Sequence, residues 1–250
     1  MPQNDWIRRF HVSEGAHVRL VCLPHAGGSA AQFFWLSKAL APHIEALAVQ
    51  YPGRQDRRHE PFLSSIEELA DAIFVELADW RDRPLALFGH SMGAVLAFEV
   101  ARRLQDQLGQ PPFRIFVSGR RAPSLKPGER FHAADDESLI AQITRLNGTD
   151  PRVLADDEML RLSLPVIRND YRVVEMYRCG PDVALTSPIS VLIGDSDPHS
   201  TVEEARAWDR HTRGECTATV FPGGHFFLDN HRAAVAQLIL DDSAVGSWQG

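Results

Sequence analysis

The sequence predicts an α/β protein: a mostly parallel central sheet with helices on both faces and a helical segment inserted between two of the strands. Three observations carry this. Short runs are apolar at every position, as strands buried on both faces must be. Longer amphipathic stretches alternate with them, the rhythm of strands joined by crossover helices. A lone serine stands between two glycines in "GHSMG", where an apolar strand hands over to a helix.

The elements follow in order. "VRLVCLP" reads as a strand and "SAAQFFWLSKALAPH" as a helix. "IEALAVQYP" is a strand, and "SSIEELADAIFVELADW" is a helix with a serine cap and an acidic first turn. "LALFGH" is a strand leading into the helix "MGAVLAFEVARRLQDQLG", which Gly109 closes. "FRIFVSGR", "ISVLIGDSD" and "ATVFPGG" are further strands, and "HRAAVAQLILDD" is the closing helix.

Residues 122–186 break the rhythm, with helical patterns and no convincing strand. "DESLIAQITRLNG" sets Leu139, Ile140, Ile143 and Leu146 on one face and ends at Gly148. "DDEMLRLSLPVIRNDYRVVEMYRC" contains Pro165, which predicts two shorter helices. At roughly 65 residues the segment is far longer than an ordinary crossover, so it reads as a helical lid. Residues 1–250 form one domain, with the lid at 122–186 inserted between two core strands.

Composition bounds the function. Hydrophobic residues make up 44% and charged residues 24%, which excludes a disordered chain. A net charge of −7, without a basic run, speaks against nucleic acid as a partner. Cys22, Cys179 and Cys216 are scattered without metal-ligand spacing and read as buried free thiols in a reducing compartment. No leader-like or membrane-spanning segment stands out, so the expectation is a cytoplasmic protein with no membrane partner. A monomer is the default.

A serine hydroxyl becomes a useful nucleophile only when it is exposed, close to a base and beside donors for an oxyanion. A tight strand-to-helix turn exposes it and crowds the positions two residues away, which explains Gly89 and Gly93 on either side of Ser91. The same turn aims the Met92 amide at the oxyanion. The base should lie in a loop after a late strand, and His225 in "FPGGHFFL" does. His199 adjoins the acid, His211 falls in the helical "EEARAWDRHTRG" on a solvated face, and His231 opens the closing helix. For the acid, Asp197 suits the post-strand loop of "GDSDP" better than Asp195, which would cap a turn. A second oxyanion donor comes from "LPHAGGSA": the amide of Ala26, with His25 as the alternative. His25 and His90 otherwise brace their loops by hydrogen bonds. The paired glycines could also cradle a phosphate, but no P-loop lysine or dinucleotide fingerprint accompanies them.

Together "LPHAGGSA", "QYPGRQDRRHE", "FGHSMGAVLAFEVARRL", "FVSGRRAP", "GDSDP" and "FPGGHFFL" resemble the stand-alone type II thioesterases of polyketide and non-ribosomal peptide synthesis, within the α/β-hydrolase fold. The resemblance runs over nearly the whole chain, in the family's motif order. It implies a triad of Ser91, Asp197 and His225, oxyanion amides at Ala26 and Met92, and a helical lid between "FRIFVSGR" and "ISVLIGD". It also implies hydrolysis of acyl thioesters on the phosphopantetheine arm of an acyl or peptidyl carrier protein, removing aberrant units, with no metal or organic cofactor. An acidic carrier would need a local basic patch: Arg54, Arg57 and Arg58, or Arg120 and Arg121, against solvated charge with structural ion pairs at each. For Arg54 the alternative is that it holds its own loop. The alternatives are a product-releasing thioesterase, a general serine esterase or lipase, and a catalytically inactive binding module on the same scaffold.

Overall fold

The computed structural model describes residues 5–126, 128, 130–146 and 157–244. Among these, seven strands form one sheet in the order β1-β3-β2-β4-β5-β6-β7. The strands are β1 (Ile7–Arg8), β2 (Val18–Leu23), β3 (Ile44–Val49), β4 (Leu85–His90), β5 (Arg114–Ser118), β6 (Ile189–Gly194) and β7 (Cys216–Phe221). Strand β1 pairs antiparallel with β3, and every other pairing is parallel. The two-residue β1 is absent from the sequence reading, because two residues show no alternation.

Side chains alternate across the sheet, as the two-residue period requires. Val21, Leu23, Leu47, Leu87, Val117 and Val191 enter one apolar cluster. Leu20, Cys22, Ala46, Ala48, Phe88 and Phe116 enter the other. Helices α2 (Ile66–Glu76) and α3 (Met92–Leu108) cover the first face. Helices α1 (Phe34–Leu40) and α7 (Arg232–Ala244) cover the second. Continuous apolar strands were legible because both faces are dry. The edge strand β7, mostly exposed, begins two residues before the expected run.

The local signals hold at the helix ends. Ser65 caps α2 by accepting from the Glu68 amide. Gly109 closes α3 in the left-handed conformation, with Gln110 N–H reaching back to Leu104 O at 3.1 Å.

Between β5 and β6 lie α4 (Asp136–Leu146) and α5 (Asp157–Met176). The expected end of α4 at Gly148 lies outside the described residues. Pro165 does not split α5, contrary to the sequence reading. Proline removes one backbone donor, but burial runs through the site: Leu164, Val166, Ile167, Asp170, Val173 and Val174 are all buried. Packing of that face keeps the helix continuous across a single missing bond. Leu139, Ile143, Leu160, Leu164 and Ile167 form a third apolar cluster joining α4 to α5.

Two smaller expectations fail. His211 is not solvated but wholly buried, held by Ser124 Oγ and Val183 O at 2.8 Å each. Its segment starts as α6 (Val202–Arg206) and tightens into a 3₁₀ turn that rotates the ring inward. Of the three free cysteines only Cys22 is buried; Cys179 and Cys216 are half-buried. No helix among the described residues is long and apolar enough to cross a membrane.

Candidate active site

Ser91 sits between β4 and α3 at φ 55° and ψ −113°, a conformation rare for a residue with a side chain. The turn is so tight that a Cβ on Gly89 would stand 1.9 Å from Gly93 O, and one on Gly93 would stand 2.0 Å from Leu23 O. Ser91 N–H donates to Ser118 O at 2.8 Å, which ties the turn to the end of β5. The Ser91 residue is partly exposed, and its hydroxyl has no hydrogen-bond partner among the described residues.

His225 and Asp197 come from the loops after β7 and β6. Both are buried, and His225 Nδ1 lies 2.8 Å from Asp197 Oδ2. A carboxylate only accepts, so Nδ1 carries the proton and Nε2 is left as a base. Asp197 Oδ1 accepts from His199 N–H at 2.8 Å, so both oxygens are held. Asp195 instead faces solvent and accepts from Ser196 Oγ and Gly223 N–H. The exposed aspartate, one residue after the last strand pair Gly194–Phe221, makes the turn; the buried one, two residues further on, meets the histidine.

The loop after β2 forms a type II turn. Gly28 N–H donates to His25 O at 2.9 Å, and Gly27 takes the positive φ of 76° that its third position demands. The Ala26 amide stands in the middle of this turn. Neither it nor the Met92 amide at the start of α3 has an acceptor among the described residues.

Sequence reasoning missed the aromatic ring cage around His225. The His90 and His199 rings lie 5.1 and 5.3 Å from it, and Phe226 lies 5.1 Å away. His25 packs on Phe226 at 4.8 Å and on His90 at 5.9 Å. His25 thus braces its loop by ring packing as well as through its interaction with the Gln32 side chain. His90 braces as expected, with Nδ1 3.0 Å from Ser118 Oγ. Burial first, then the charge of His225, pushes all three neighbours down: His25 to about 3, His199 to about 4, and His90 well below the ordinary value. The Gln142 amide of α4 lies 2.7 Å from His199 Nε2 and donates to it, which a neutral ring permits. His225 is thus surrounded by imidazoles that stay uncharged.

The candidate docking arginines separate. Arg54 is buried against Asp170. Arg57 is buried too, with its guanidinium over the Trp6 ring and bonded to Glu60 and Gln50 O. That corrects its reading as a surface charge. Arg121 is buried beside Glu204 and His199 O, Arg120 is half-buried, and Arg58 is exposed.

This fold, with a strained serine at the β4–α3 junction, places the chain among the serine hydrolases of the α/β-hydrolase type. More narrowly, the chain belongs to the thioesterase domain family, whose model matches residues 18–242. It is 50% identical over 237 residues to the thioesterase PikA5 of Streptomyces venezuelae, covering 94% of this chain and 84% of that one. It is 50% identical over 230 residues to a probable cadicidin biosynthesis thioesterase of Streptomyces griseus, covering 92% of this chain and spanning 63% of that protein's length. Among solved structures, the type II thioesterase BorB from the borrelidin biosynthetic cluster superposes with a TM-score of 0.88 at 47% identity, covering 95% of this chain and 97% of that one.

Proposed function

We propose that this thioesterase hydrolyses acyl groups from the phosphopantetheine arm of an acyl or peptidyl carrier protein, clearing carriers blocked by aberrant units. Ser91 is the nucleophile, His225 the base and Asp197 its orienting acid. The amides of Ala26 and Met92 receive the oxyanion. The observation that carries the mechanism is the buried 2.8 Å pairing of His225 with Asp197, which leaves Nε2 free on the ring beside the strained serine turn. The substrate class is supported by the relatives, of which BorB is described as a type II thioesterase of a biosynthetic cluster. Helices α4 and α5 act as a lid over this centre, since Gln142 reaches His199 and Ile167 packs on Gly27.

His225 Nε2 takes the Ser91 proton as Oγ attacks the thioester carbonyl, and the carbonyl electron pair moves to the oxygen held by the two amides. Collapse expels the pantetheine thiolate, which takes the proton from His225 and leaves an acyl-serine. Water, deprotonated by His225, attacks the acyl-serine, and the proton returns to Ser91 Oγ as the free acid leaves. Asp197 stabilises the imidazolium in both halves. Neutral His25, His90 and His199 spare that imidazolium a neighbouring like charge.

One carrier protein loaded separately with acetyl, propionyl and a long acyl group tests this, with deacylation followed by intact-protein mass spectrometry. The enzyme should clear the short chains at comparable rates, and Ser91→Ala should lose about 10⁴-fold or more. Release of the long chain alone would replace editing by product release. Activity on oxygen esters alone would remove the carrier substrate and leave the serine mechanism standing.

A further inference from the structure

A buried ion pair reaches from α5 into the turn that holds the Ala26 amide. Asp170, 1% exposed, accepts Arg54 Nη1 on Oδ2 and Arg54 Nη2 on Oδ1, both at 2.9 Å. Its Oδ2 also accepts Gly27 N–H at 2.8 Å. Arg54 Nη1 donates in addition to Gly28 O at 3.3 Å. On the other side of the turn, Tyr51 Oη donates to Pro24 O at 3.1 Å. One helical turn before Asp170, Ile167 packs so closely that a Cβ on Gly27 would stand 2.7 Å from its Cγ1. The turn is thus anchored at Pro24, Gly27 and Gly28, on both sides of Ala26, while the Ala26 amide has no acceptor among the described residues.

We infer that Asp170, clamped by Arg54, is a positioning residue for the oxyanion hole, so that the Ala26 amide is aimed only while α5 is seated on the turn. The inference rests on the assignment of Ala26 and Ser91 above. Its physical basis is that an oxyanion donor works by preorganisation: it must already point at the oxygen before charge develops. In a type II turn the peptide plane between the two central residues is the one that flips most freely, and Gly27, without a side chain, resists that flip least. A carboxylate on Gly27 N–H locks the plane directly next to the Ala26 amide. Asp170 touches no reacting atom, and its effect passes through Gly27. The arrangement also accounts for Tyr51 and Arg54 of "YPGR": both hold the turn.

Two variants test it. Asp170→Asn keeps an acceptor oxygen but loses the charge-assisted pairing. Arg54→Met with Asp170→Leu removes both charges together, so no buried ion is left unpaired and the fold should persist. For carrier thioester, kcat should fall about 10-fold in the first and about 100-fold in the second, with KM within about twofold of the parent enzyme. The rate at which a fluorophosphonate labels Ser91 should fall in the same proportion, because phosphonylation uses the same hole and no carrier. Thermal unfolding of the double variant should show the folded state retained. Parental kcat and labelling rate in the double variant would overturn the inference, as would a rise in KM with kcat unchanged. If thioester is not turned over but labelling slows as expected, the positioning role stands and the carrier substrate does not. If the parent enzyme is not labelled at Ser91, both fail.

Discussion

Replacing Gly93 by alanine puts the serine turn under a load that the surrounding backbone cannot shed. The added Cβ would stand 2.0 Å from Leu23 O, 2.7 Å from Leu23 C and 2.8 Å from Pro24 O. These are backbone atoms at the end of β2, and β2 is paired on both sides, to β3 and to β4. Ordinary contact begins near 3.4 Å, so α3 and β2 must part by roughly 1.4 Å, the difference between that and the shortest approach. Overpacking where side chains can adjust costs about 1–3 kcal/mol. With backbone on both sides, about 4 kcal/mol is expected. The separation also draws the Met92 amide, one residue before Gly93, away from the Ala26 amide, two residues after Pro24. A misplacement of about 1 Å at a catalytic centre costs about 10²-fold in rate.

Two controls calibrate the scale. A Cβ on Gly109 meets nothing within 4 Å, but its φ of 63° leaves a left-handed penalty of about 1–2 kcal/mol. A Cβ on Gly15 meets nothing within 4 Å and its φ is ordinary, so Gly15→Ala should be near neutral. Urea midpoints of the three variants should rank Gly93→Ala well below Gly109→Ala, with Gly15→Ala at the parental value. Fluorophosphonate labelling of the Gly93→Ala protein that remains folded should slow sharply. If Gly93→Ala unfolds no more readily than Gly109→Ala, or labels at the parental rate, the close approach of α3 to β2 does not shape the turn.

Three further outcomes are expected. Ser91→Gly should unfold at higher urea than Ser91→Ala by about 1 kcal/mol, because glycine relieves the positive φ that alanine retains; equal midpoints would mean that the turn stores no strain. Tyr177→Phe should cost about 2 kcal/mol, since Tyr177 Oη donates to the buried Glu99 carboxylate at 2.7 Å, while kcat stays within about twofold. Acid should destabilise the fold through His25, His90, His199 and His211, each held by burial below its ordinary pKa. The unfolded chain therefore binds protons first as pH falls, and stability, intact above the unfolded histidine value of about 6.5, declines toward about 4 for His199 and about 3 for His25. The slope of unfolding free energy against pH should accordingly steepen below about pH 6, and His211→Gln should make it shallower.

The sequence by itself determined the layered sheet, the strand-to-helix turn at Ser91 and the loops that carry Asp197 and His225. These rest on local signals: strands dry on both faces leave unbroken apolar runs, and a turn with no room for a Cβ leaves glycines at fixed spacing. The turn before α1 was legible for the same reason, through the "GG" of "PHAGGS". Tertiary structure decided the rest. Continuous packing on α5 overrode the proline signal at Pro165, and a tightened turn rotated His211 from the expected solvent face into the core. The environment of His225 was equally unreadable, because His25 lies in the loop after β2, His90 at the end of β4 and His199 in the loop after β6, and they meet only when the strand ends are brought side by side. Asp170 had no local signature either. An aspartate in an amphipathic helix reads as solvated until folding sets Arg54 and the Gly27 amide against it, 116 and 143 residues away along the chain. Local rules record what a residue does to its own backbone, whereas a buried charge acquires its role from partners that only the folded chain supplies.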